Sequence, residues 1–74
     1  MSIIGKELYK SLVKNYQSQI QSNKAGMLIY FKNSVGIGEH PQHLEEMDKM
    51  LSRITDANDK LESLMREFPE DEYK

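Results

Sequence analysis

Apolar residues recur along this chain in two blocks, at alternating steps of three and four. The first block is Tyr9, Val13, Tyr16, Ile20, Asn23, Met27 and Tyr30. The second is Leu44, Met47, Leu51, Ile54, Asn58, Leu61, Met65 and Phe68. Such steps keep side chains on one side of an α-helix, because a turn takes about 3.6 residues. A glycine-bearing stretch from Asn33 to His40 separates the blocks. The pattern predicts an all-α chain: an antiparallel two-helix hairpin, dimerising into a four-helix bundle or coiled coil. Residues 1–68 form the hairpin, with a helix over about 3–32, a loop over 33–40 and a helix over about 41–68. A disordered acidic tail takes 69–74. Both stripes are the expected core and oligomer interface.

The ends of these segments carry matching signals. Ser2 is placed to cap the first helix, its hydroxyl accepting from a first-turn N–H, with Glu7 near the positive end of the helix dipole. Asn33 and Gly36 suit the left-handed residue that ends a helix. Pro41 suits the first helical position, where a missing N–H costs nothing. Pro69 follows the second stripe, and Glu70 to Lys74 hold too little apolar surface to order themselves. In the second segment Glu45→Lys49, Asp56→Lys60 and Glu62→Arg66 are acid-to-base pairs four residues apart, each worth about 0.2–0.5 kcal/mol.

Two positions strain the pattern. Gly26 inside a helix costs about 1 kcal/mol relative to Ala. The stripe nevertheless runs in register through Ile20, Asn23, Met27 and Tyr30, which favours one continuous helix. A kink at Asn23–Gly26, or a short strand over Met27–Phe31, are the alternatives. Asn23 and Asn58 are polar residues on apolar stripes. Folding the chain about Ile37 puts Tyr16 near Asn58, where hydroxyl and amide can satisfy each other. Asn23 either meets its symmetry mate and fixes register, or marks a solvated kink.

Composition narrows the class. A chain of 74 residues without Cys is one domain at most, with no disulfide or thiolate metal site, and is marginal unless stapled. Oligomerisation is the expected staple. No apolar run approaches the roughly 20 residues of a membrane span, and the N-terminus lacks a signal-peptide pattern. These features predict a cytoplasmic protein without membrane contact. Net charge is −2, unevenly spread. Residues 1–33 hold five lysines against Glu7, a surplus of +4, while residues 41–68 hold seven acids against four bases, a deficit of −3. A basic and an acidic helix are complementary, within or between chains.

Candidate chemistry is sparse. The Gly36-Ile37-Gly38-Glu39-His40-Pro41 segment has two glycines before a helix, a weak form of an anion-binding turn. Gly36, Gly38, His40 and His43 are the residues of a possible ligand loop. The phosphate fingerprints need a preceding strand and a longer glycine pattern, and Glu39 would repel an anion. His40, His43 and Glu46 recur at steps of three, without facing glutamates to complete a metal site. Lys6, Lys10 and Lys14 share a face, but without Arg and beside an acidic helix they argue against a nucleic-acid partner. The methionines at 27, 47, 50 and 65 suit an adaptable interface. No nucleophile with a base and orienter is evident, so no enzyme, metal or cofactor is expected.

The stretch Tyr30-Phe31-Lys32-Asn33-Ser34-Val35-Gly36-Ile37-Gly38-Glu39-His40-Pro41, followed by Asp59-Lys60-Leu61-Glu62, resembles short uncharacterised helical proteins of T4-like tailed phages. The resemblance implies a phage accessory protein acting in a bacterial host cytoplasm, and it supplies no functional residues. The expected function is therefore non-enzymatic: self-association, as a homodimer or higher, and contact with an unidentified protein. The alternative is a small-anion or nucleotide-sequestering module built on the glycine loop.

Overall fold

The computed structural model describes residues 2–32 and 41–69. Among them are two helices and no strand: α1 over Ile3–Lys32 and α2 over Pro41–Glu67. The helices pack along each other as an all-α hairpin. The chain measures 53 × 17 × 14 Å, with a radius of gyration of 16.5 Å. A compact chain of this length would have a radius of about 11 Å. The molecule is therefore a rod two helices thick. The glycine segment 33–40, including Asn33 and Gly36 that the sequence marks as expected helix-ending positions, and the tail 70–74 lie outside the described residues.

The N-terminus of α1 forms as its sequence dictates. The Gly5 N–H donates to the Ser2 hydroxyl at 2.9 Å, and the Lys6 N–H donates to the Ser2 carbonyl at 2.9 Å. The first bond meets one of the helix's orphan donors through the capping side chain, and the second is the first backbone bond of the helical ladder. The helix then runs unbroken through Gly26. The Asn23 amide turns back along its own helix and donates to the Gln19 carbonyl at 2.7 Å. That bond satisfies a half-buried polar tip without interrupting the helix.

Gly26 has a packing role. A Cβ built there would lie 3.0 Å from the Met50 sulfur and 3.1 Å from its terminal methyl. The bare backbone at Gly26 lets the thioether of α2 come against α1.

The first stripe faces α2 along its whole length. Tyr9 is buried, and Val13, Tyr16, Ile20, Asn23, Met27 and Tyr30 are half-buried. In α2 the seam is rotated from the stripe read in the sequence. Met47, Ile54 and Leu61 point inward, but they alternate with His43, Met50, Ala57 and Leu64. Leu44, Leu51, Asn58 and Met65 turn outward, and Phe68 is half exposed. The apolar arc of α2 is wider than one seam, so two rotations compete. An inward row of Leu44, Leu51, Asn58 and Met65 would bury an amide, at a cost unless it finds a partner. The chosen rotation places Ala57 there, 1% exposed, and leaves Asn58 in water.

This rotation replaces the expected Tyr16–Asn58 pairing. Tyr16 lines a groove with Lys60, Ser63 and Leu64 instead. One polar tie between the helices closes the rod's open end, where α2 also finishes on a local backbone bond, and one aromatic contact closes the other. The Tyr9 hydroxyl donates to the Phe68 carbonyl at 2.7 Å, and the Phe68 N–H donates to the Leu64 carbonyl at 2.8 Å. Near the connection, the rings of Tyr30 and His43 lie 5.5 Å apart, tilted by 57°.

Candidate functional site

The most distinctive surface of the rod is the outward row of α2. Leu44, Leu51 and Met65 are 60%, 52% and 48% exposed, with exposed Asn58 between the last two. They stand seven residues apart, so they form one line along the helix, rising about 10.5 Å per step. Seven-residue spacing of apolar side chains is what a second helix would cover. The neighbouring outward row of α2 is Asp48, Thr55 and Glu62, all exposed.

The other edge of the rod differs. There Leu12 and Tyr16 of α1 meet Lys60, Ser63, Leu64 and Glu67 of α2, and Phe68 just beyond it, around a shallow groove of about 300 Å³. Because Leu12 flanks the groove with Lys60 and Glu67, helix geometry assigns α1's Lys10–Gln17–Lys24 row to the opposite edge. That edge is the one carrying Leu44, Leu51, Asn58 and Met65. The apolar row is thus bordered by lysines on one side and by acids on the other.

Exposed apolar side chains also gather at the rod's ends. Ile3, Ile4 and Leu8 mark the open end, and Leu28, Ile29 and Phe31 the connected end. Among the described residues only Tyr9 and Ala57 count as buried core. A chain of this size ordinarily needs more interior than that, or a staple.

The charged surface is made of short local pairs. Lys10 reaches Glu7 at 3.7 Å, Lys49 reaches Glu46 at 3.4 Å, Lys60 reaches Asp56 at 3.2 Å and Arg66 reaches Glu67 at 3.2 Å. Only the Asp56–Lys60 bridge takes the expected four-residue step among these; Arg66 also donates to the Ser63 hydroxyl at 3.3 Å. All are solvent-exposed and worth at most about 1 kcal/mol each. The Lys6, Lys10 and Lys14 side chains are all exposed on α1.

Of the ligand-loop residues, Gly36, Gly38 and His40 lie outside the described residues. His43 is described, and its ring packs against Tyr30 within the seam rather than reaching outward. Among the described residues, no group of three or more His, Asp or Glu side chains is placed to hold a metal. No helix among them is long and apolar enough to cross a membrane.

Four seam residues were not marked by the sequence stripe: His43, Met50, Ala57 and Leu64. Their signal was present as a second seven-residue series through Met50, lying beside the first. Compared with protein families, with curated proteins and with solved structures, the chain matches none.

Proposed function

We propose that this chain is a non-enzymatic helical hairpin that self-associates and acts through protein–protein contacts. One observation carries the reading: an unbroken helix presents Leu44, Leu51 and Met65 in a line to solvent while only two of the described residues, Tyr9 and Ala57, are buried. Covering one such leucine is worth about 1.5–3 kcal/mol. Exposed ion pairs at the same surface contribute far less. Association therefore has a stronger driving force on this edge than anywhere on the charged faces. The likeness of residues 30–41 to small phage proteins fits an accessory role of this kind.

Sedimentation equilibrium tests the proposal. The wild-type chain should show at least twice its 8.6 kDa mass at micromolar concentration. Leu51→Glu should return the mass to that of a single chain. A wild-type monomer across the micromolar range rejects the reading.

A further inference from the structure

We infer that the occupant of this edge is a second copy of the chain, with the two α2 helices parallel and in register. The inference rests on the self-association reading and deepens it by fixing the geometry.

The argument starts from Asn58. It is the one polar rung in a row of four, between Leu51 and Met65. If two α2 helices meet parallel and in register, each rung faces its own copy. Leucine then meets leucine, methionine meets methionine, and the two Asn58 amides face each other, where each can donate to and accept from the other. An antiparallel pairing has two ways to align. Matching Leu44 to Met65 of the second copy uses every rung, but sets Asn58 against Leu51 and leaves the amide without a partner. Centring on Asn58 pairs the amides but slides Leu44 past the described end of the second helix.

The flanking charges make the same choice independently. The row is bordered by Lys10, Gln17 and Lys24 on one side and by Asp48, Thr55 and Glu62 on the other. A two-fold axis parallel to the helices exchanges these borders, so lysines of one copy face acids of the other. Lys24 stands level with Leu51, about 4.5 Å along the axis from Asp48 of the second copy. Lys10 stands level with Met65, the same distance from Glu62. An axis perpendicular to the helices sets lysines against lysines and acids against acids, which costs rather than stabilises. The resulting assembly is a four-helix bundle with both connections at one end and the two α2 helices at its centre.

The chain has no cysteine of its own, so single cysteines report the geometry. Leu44→Cys, Leu51→Cys and Met65→Cys, each made in the full chain and oxidised, should all give disulfide-linked dimers. Asn15→Cys, on the far face of α1, should not. An antiparallel dimer would instead link a mixture of Leu44→Cys and Met65→Cys chains, while neither linked to itself. That result, alongside a dimeric mass, overturns the parallel geometry and leaves self-association standing. A monomeric mass with no linking above the Asn15→Cys level overturns both.

Charge exchange gives the second reading. Lys24→Glu and Asp48→Lys should each weaken the dimer roughly 3- to 10-fold, and the double variant should restore it. Additive weakening in the double variant overturns the pairing of these borders.

Discussion

The Tyr9 hydroxyl donates a 2.7 Å hydrogen bond to the carbonyl of Phe68, fifty-nine residues away. Tyr9 is 8% exposed, and the carbonyl it reaches is one that the end of α2 cannot satisfy within its own helix. The bond joins the first turns of α1 to the last turn of α2. Tyr9→Phe keeps the ring and removes the donor. It should lower stability by about 0.5–1.5 kcal/mol in urea unfolding at fixed chain concentration. Amide exchange should quicken from Leu64 to Phe68 and stay unchanged near Gly26.

At Gly26 two effects oppose each other. Alanine gains about 1 kcal/mol of helix propensity over glycine. Its Cβ would press on the Met50 thioether at 3.0 Å, but the far end of a methionine can move aside. Gly26→Ala should therefore raise stability by up to about 1 kcal/mol. Gly26→Val adds branches that methionine cannot clear and should lower it by about 1–3 kcal/mol. Thermal unfolding of the two variants beside wild type decides between these outcomes.

Ala57 is the most enclosed side chain of the described residues, at 1% exposure. Ala57→Leu should cost about 1–3 kcal/mol, because the added carbons must push α1 and α2 apart. The same enlargement at the outward Ser52 should change little. Denaturant midpoints measured at one concentration would show the contrast.

Ser2 caps α1 through its side-chain oxygen. Ser2→Ala should cost about 1 kcal/mol and Ser2→Asp almost nothing. The loss should appear as faster amide exchange at Gly5, with the middle of α1 unaffected.

Tyr30 and His43 pack ring to ring near the connection. A double-mutant cycle with Tyr30→Ala and His43→Ala should give a coupling energy of about 0.5–1.5 kcal/mol. A cycle pairing Tyr30→Ala with Ser63→Ala, at the far end of α2, should give none.

The two helices and their approximate ends were readable in the sequence because capping chemistry and apolar spacing agree there. Ser2 and Pro41 mark helix starts, and Pro69 follows close on a helix end. The inward face of α1 was readable for a different reason. Its stripe has polar or lysine-bearing rows on both sides through the middle of the helix, so only one rotation buries apolar surface. In α2 three neighbouring seven-residue series run side by side, led by Leu44, Met47 and His43. Spacing cannot rank them, since all three satisfy the helical period. What ranks them is the cost of burying Asn58 against the ease of burying Ala57, together with the fit of Met50 to Gly26. Those are pairwise facts between distant segments, which no count along a single helix contains. The outward row was therefore visible as apolar, but its side of the rod was not.

A molecule only 17 × 14 Å across has almost no interior to protect. Most replacements on its outer faces fall where substitutions ordinarily shift stability by under about 0.5 kcal/mol. Recognition can therefore be rewritten quickly by mutation while the hairpin persists, and the slow-changing positions should be the few that hold the two backbones close: Gly26, Met50 and Ala57.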